Sequence, residues 1–173
     1  RTDGPLEVKL RSDAGNAPIS DKGYGYTIAT LILVNGMMVK GRQKTHYGKS
    51  LTIYGAELMA LCETVKQLPM ILGKIQDIVS QKRLKELGLE SAVKLPIDVG
   101  VDNEGTVKKL KSESMSGNSI HLVPYIIWLQ TLVKAGLIRI HHIRGVDNES
   151  DFLLKPFSAP EHKRQFNRIS EVI

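Results

Sequence analysis

The spacing of apolar and polar positions changes period several times along the chain, and each change marks an element. Residues 6–13 read as a first strand, broken by the polar run Ser12-Asp13-Ala14-Gly15. Residues 16–23 gather Gly, Asn, Pro, Ser and Asp and read as a loop. Residues 24–34 are β-rich and mostly apolar. Asn35-Gly36 follows, a strong hairpin signal, and 37–43 return as a third strand. The period then becomes helical. Ala56, Ala60, Leu61, Val65 and Leu68 predict a helix over 52–72, which Pro69 is expected to kink or end. Residues 73–94 are charged and amphipathic, with Ile75, Ile78, Val79, Leu84 and Leu87 outlining a second helix.

Beyond it, 95–102 read as a short strand, 103–111 as a short helix and 112–118 as a polar loop. Ser119 is a natural N-cap for a helix ending at Gly136, although Pro124 moves its expected start toward Val123. A fifth strand covers 137–143. A short helix over 149–155 starts from Asn148 and stops before Pro156, and 157–173 suit one more helix. The order β-β-β-α-β-α-α-β-α predicts an α/β fold: a five-stranded mixed sheet flanked by helices. One domain is expected over 1–173, with its core at about 6–157 and 158–173 as a tail or helix.

Composition narrows the partners. At 173 residues and 42% hydrophobic content the chain can bury a core. Its apolar runs are far shorter than a membrane span, and no signal-peptide pattern opens it. A single cysteine, Cys62, excludes an internal disulfide and a cysteine zinc site, and suits a reducing compartment. The net charge of +6 favours polyanions, or serves solubility alone. Basic residues cluster at Lys82, Arg83 and Lys85, at Lys108, Lys109 and Lys111, and at His162, Lys163 and Arg164. The 5% aromatic content argues against extensive base stacking.

Four acids carry the candidate chemistry. Asp13 is expected at the end of the first strand, Glu57 in the first turns of the long helix, Asp102 at the end of the fourth strand and Asp151 in the last short helix. In α/β sheets, sites form where strand carboxyl ends meet helix starts. Carboxylates gathered there would repel unless a cation neutralised them. Magnesium is the natural cation, since it takes carboxylate, water and phosphate oxygens. Each acid also suits a turn or helix start for local reasons, and Asp151 could close a cap with Asn148. Asp98 competes with Asp102 because both point the same way on the strand. Asp147 and Glu149 compete with Asp151.

Four segments together resemble ribonuclease H: Ser12-Asp13-Ala14-Gly15, Gly55-Ala56-Glu57-Leu58-Met59-Ala60-Leu61, Val101-Asp102-Asn103, and the block from His142 to Phe157. The last is similar to the C-terminal block of the ribonuclease H domain in Ty/copia-type retrotransposon polyproteins. There an Asn-x-x-Asp segment precedes a Thr-Lys-Pro-like tripeptide, and Leu154 stands where Thr is usual. The resemblance spans about residues 8–160.

It implies a ribonuclease H-like fold and a metal-binding, catalytic tetrad of Asp13, Glu57, Asp102 and Asp151. It implies two Mg2+ ions, with Mn2+ as a substitute, and cleavage of the RNA strand of RNA/DNA hybrids to leave 5′ phosphate and 3′ hydroxyl ends. It also implies fusion to a reverse transcriptase polymerase domain, and an intracellular setting in cytoplasmic virus-like particles and the nucleus. Adjacency suggests Ser12, Asn16 and Asn103 as hybrid contacts, and charge suggests Lys82, Arg83 and Lys85. Some cellular ribonucleases H carry a mobile histidine before the last helix. Here His141 and His142 lie in a strand instead, with one expected to face the sheet interior or a helix.

Two rival readings stand beside this one. Integrases, transposases and resolvases on the same scaffold place their acids differently; the typical integrase has no Glu on the helix after strand three, so Glu57 argues against it. A non-catalytic ribonuclease H-like module, binding nucleic acid or a partner protein, would be expected to have lost acids.

Overall fold

The computed structural model describes residues 4–16, 25–47, 52–79, 85–86, 88, 91–112, 117–155 and 158–170. The chain opens as a meander: β1 (Val8–Asn16), β2 (Gly25–Val34) and β3 (Met37–Tyr47). The β2–β3 connection is the expected Asn35-Gly36 turn, with both residues at positive φ, 50° and 81°. That geometry matches the right-handed twist of the flanking strands. Two helices follow, α1 (Ile53–Val65) and α2 (Leu68–Ile78). Next come β4 (Ile97–Val101), α3 (Glu104–Lys111), a 3₁₀ turn at Gly117–Leu122, α4 (Val123–Lys134) and β5 (Ile138–His142). Two short 3₁₀ turns, Gly145–Asp147 and Glu149–Leu153, precede a last helix, α5 (Ala159–Ser170).

The five strands form one mixed sheet in the order β3-β2-β1-β4-β5. β1–β2 and β2–β3 are antiparallel, whereas β1–β4 and β4–β5 are parallel. β1 is therefore central, flanked on one side by its hairpin neighbour and on the other by a crossover strand. β2 is buried along almost its whole length. This explains why its sequence is a near-continuous apolar run rather than an alternating one.

The main core lies on one face of the sheet. Val8, Leu10, Ile32, Val99 and Ile138 meet Leu58, Leu61 and Val65 of α1, with Leu129 of α4 closing the cluster. The opposite face is covered by a smaller group, Leu31 and Leu33 packed with Ile169 of α5. No helix among the described residues is long and apolar enough to cross a membrane.

Several expected boundaries are corrected. β1 continues three residues past Asp13. It stays paired with β2 as far as Asn16↔Tyr26, while its pairing with β4 stops at Ser12↔Val101. Asp13 thus marks the end of the parallel pairing, not of the strand. Pro69 does not end a helix that continues to 72. The first helix stops at Val65, and Pro69 sits in the opening positions of α2. There its missing N–H would have had no partner anyway. Pro124 plays the same part in α4, whose first residue is Val123. The helix expected over 149–155 is instead a 3₁₀ turn.

Candidate active site

Strand pairing sets the first two acids. Parallel pairing puts Ser12 beside Val101, so Asp13 and Asp102 leave adjacent strands at the same edge. Asp102 follows β4 directly, and Asn103 caps α3 by accepting a hydrogen bond from the Thr106 N–H at 2.9 Å. Glu57 arrives from α1, which starts at Thr52, whose hydroxyl accepts from the Gly55 N–H at 3.1 Å. The first turn of α1 holds no acidic residue. Glu57 therefore lies beyond the turn in which a helix dipole favours acids. α1 is buried on nearly every side, so a carboxyl there needs a reason other than surface solubility.

One oxygen from each of Asp13, Glu57 and Asp102 lies within 4.8 Å of the others. Asp13 and Glu57 are each only 5% exposed. Asp13 Oδ1 accepts from the Ala14 N–H at 2.8 Å, but Glu57 Oε2 is buried without a partner. Asp151 stands beside this trio. It hydrogen-bonds Asp13, pairs with Lys155, and leaves its Oδ1 buried and unsatisfied.

The electrostatics follow from this crowding. Burial pushes Glu57 up to about 9, helped by the negative charges of Asp13 and Asp102. Burial also raises Asp13, together with its hydrogen bond to Asp151 and the charge of Asp102. Asp102 is raised by burial against the opposing hydrogen bond from Asn148. Lys155 is raised by its bond to Asp151. Protons therefore hold this cluster together in the absence of another cation. Two orphaned carboxylate oxygens beside three converging carboxylates fit a hard divalent cation such as Mg2+ or Mn2+.

The competing acids are engaged elsewhere. Asp98 pairs with Arg11 at 3.2 Å, Arg139 at 3.1 Å and His141 at 3.4 Å. Burial alone would raise Asp98, yet Arg139, His141 and Arg11 outweigh it and hold it below its ordinary range. Asp147 pairs with Arg144 at 2.7 Å and Glu149 with Arg11 at 2.8 Å. The expected Asn148–Asp151 cap is corrected. Asn148 Oδ1 accepts from the backbone N–H and hydroxyl of Ser150, leaving the Asp151 carboxyl to face Asp13 and Lys155.

The expected substrate contacts divide. Ser12 is fully buried on the face of β1 that carries Val8 and Leu10, so its hydroxyl cannot meet a hybrid. Asn16 is exposed at the end of β1. Asn103 is half-buried and uses its side-chain oxygen as a cap. Lys85 is exposed, while Lys82 and Arg83 lie outside the described residues. Neither strand histidine is buried in the interior. His141 is half-buried against Asp98, and exposed His142 has Nε2 3.2 Å from the Asp102 carbonyl oxygen.

Three neighbours of the site had not been singled out for these roles. Lys155 lies one helical turn after Asp151, a spacing at which charges meet. Arg11 lies two residues before Asp13 and so shares its strand face. Asn148 bridges to the Ser12 carbonyl across 136 positions of sequence, a contact that no local pattern announces.

No protein-family model and no curated protein matches the chain. Solved structures do. LC11 RNase H1, isolated from compost, is 18% identical with a TM-score of 0.55, over 85% of this chain and 91% of that one. The N-terminal RNase H domain of a Mycobacterium tuberculosis protein is 12% identical with a TM-score of 0.52, over 92% and 96%. The RNase H domain of prototype foamy virus is 12% identical with a TM-score of 0.50, over 96% and 93%. The fold is ribonuclease H-like: a five-stranded mixed sheet with flanking helices.

Proposed function

We propose that the chain is a metal-dependent ribonuclease H that cleaves the RNA strand of RNA/DNA hybrids. The observation that carries this reading is the convergence of Asp13, Glu57 and Asp102 within 4.8 Å. Asp13, Glu57 and Asp102 would hold one Mg2+, and Asp151, beside Asp13, would share in holding a second. Bound divalent ions of this kind acidify water and stabilise charge on a leaving 3′ oxygen.

The chain's own groups prepare that chemistry. Asp13 and Glu57, raised by burial and mutual charge, must release protons before they can act as ligands. Asn148 hydrogen-bonds the Ser12 carbonyl, which ties the Asp151 turn to β1, and its amide favours the charged form of Asp102. Lys155 holds Asp151 from the solvent side and would offer a cation to a phosphate bound at the acids. Backbone geometry and 2′-hydroxyls, not base identity, would select the substrate. Exposed Asn16 and half-buried Asn103 lie next to the acids in sequence and are suited to that task.

The C-terminal block that resembles Ty/copia-type elements extends this reading to context. On it, the single domain belongs to a reverse transcriptase polyprotein, next to a polymerase domain, and works in cytoplasmic virus-like particles with access to the nucleus. The activity test is cleavage of a labelled RNA/DNA hybrid with Mg2+ by wild type and by Asp102→Asn. Cleavage by wild type and at least about a hundredfold loss in the variant is expected. Equal rates in the two would sink the assignment.

A further inference from the structure

We infer that Arg11 is a positioning residue that sets the spacing of three of the four acids; the inference rests on the reading of the cluster as a metal centre. Arg11 is 7% exposed on the sheet face that also carries Asp13. Its hydrogen bonds run to the Leu10 carbonyl from Nη1 at 2.9 Å, to Asp98 Oδ2 from Nη1 at 3.2 Å, and to Glu149 Oε2 from Nε at 2.8 Å. Each partner belongs to an acid-bearing segment. Arg11 itself lies two residues before Asp13, Asp98 four residues before Asp102, and Glu149 two residues before Asp151. One planar, rigid guanidinium therefore joins β1, β4 and the 3₁₀ turn that carries Asp151.

The surroundings are shaped to hold it. Arg11 pairs beside Gly100 on β4. A Cβ at Gly100 would lie 3.0 Å from Arg11 Nη1 and 3.1 Å from its Cδ, so any larger residue would press on an anchored side chain. Burying an arginine is unfavourable unless its charge is matched, and here two carboxylates offset the charge while Nε and Nη1 are both hydrogen-bonded. Asp98 has Arg139 and His141 as additional partners, which leaves the Arg11–Glu149 bond as the arm that reaches the turn. With the Asn148–Ser12 bond, it forms a second tie between that turn and β1. A lysine could replace the charge but not the fork, because an ammonium lacks the two-sided planar geometry.

The test compares wild type, Glu149→Ala, Glu149→Gln and Arg11→Lys, each checked for folding by circular dichroism. Mg2+ affinity is measured by calorimetry, and kcat and KM on a labelled hybrid are measured alongside. Glu149 lies at the rim of the network, so its replacement leaves the Arg11–Asp98 pair intact. Glu149→Ala should weaken Mg2+ binding about tenfold or more and lower kcat with little change in KM, as loss of an outer-shell partner does. Glu149→Gln keeps an oxygen for Arg11 Nε and should recover most of the affinity. Arg11→Lys should behave like Glu149→Ala. A purely stabilising role would lower the unfolding temperature and leave Mg2+ affinity alone. Affinities within twofold of wild type in folded Glu149→Ala, with wild type binding Mg2+, would overturn the inference on its own. A wild type that binds no Mg2+ would remove the metal centre and this inference with it.

Discussion

The amide of Asn148 donates from Nδ2 to the main-chain carbonyl of Ser12 at 3.2 Å, inside the protein, across 136 residues of sequence. The same side chain caps the 3₁₀ turn through Ser150 and favours the charged form of Asp102. One asparagine therefore ties the Asp151 turn to β1 and stands beside the acid that follows β4. Asn148→Ala should lose about 2 kcal/mol of stability, because it removes a cap and a buried hydrogen bond to the Ser12 carbonyl. Urea denaturation of the two proteins measures this. Hybrid cleavage by the variant should fall further than its stability alone requires.

Glu57 gives a pH prediction. Its folded-state pKa of about 9 lies above the ordinary glutamate value of 4.5. Across that interval the folded protein holds a proton that the unfolded chain has released. Metal-free stability must therefore fall as pH rises through this window. Glu57→Gln removes this contribution. In chelator, the variant should match wild type near the acid end and exceed it by on the order of 1 kcal/mol or more near pH 8. Denaturation curves at several pH values check the divergence, and added Mg2+ should stabilise wild type but not the variant.

Lys155 neutralises Asp151 and so competes with any other cation for it. Lys155→Met should be less stable than wild type without metal, because a buried carboxylate loses its partner. The gain in unfolding temperature on saturating Mg2+ should be larger in the variant. Paired thermal melts with Mg2+ and with chelator measure the difference.

Asp147 and Asp151 lie four residues apart but have separate roles. Asp147 is half-buried and pairs with exposed Arg144, and pairs of that kind near the surface contribute little. Asp147→Asn should cleave hybrid at the wild-type rate, whereas Asp151→Asn should lose about a hundredfold. The two rates can be compared in one assay series.

Much of the sheet was legible in sequence because its signals are local. Asn35-Gly36 announced the hairpin, and the β-rich apolar run over 24–34 announced β2. Pro69 was misread because a proline ends one helix and opens another equally well. Only the packing of Leu68, Ile71 and Ile75 shows which occurred. Asp102 was legible from its place at the end of β4, whereas Asp13 lies inside β1, Glu57 beyond the first turn of α1 and Asp151 in a 3₁₀ turn. What decided between Asp98 and Asp102 was a set of partners, Arg11 from β1 and Arg139 and His141 from β5, supplied by two strands far from Asp98 in sequence. Ser12 was misplaced by adjacency alone, since a strand turns successive side chains to opposite faces. Its neighbour Asp13 faces the site, while Ser12 is buried against the core.

The most direct measurement is the Mg2+-dependent release of labelled RNA fragments from an RNA/DNA hybrid by wild type and Glu57→Gln, with an all-DNA duplex as control. Wild type should produce fragments ending in 3′ hydroxyl groups from the hybrid alone, and only with Mg2+ or Mn2+. Glu57→Gln should be at least about a hundredfold slower. Cleavage by Glu57→Gln at the wild-type rate, or by wild type in chelator, would contradict a metal centre built on these acids.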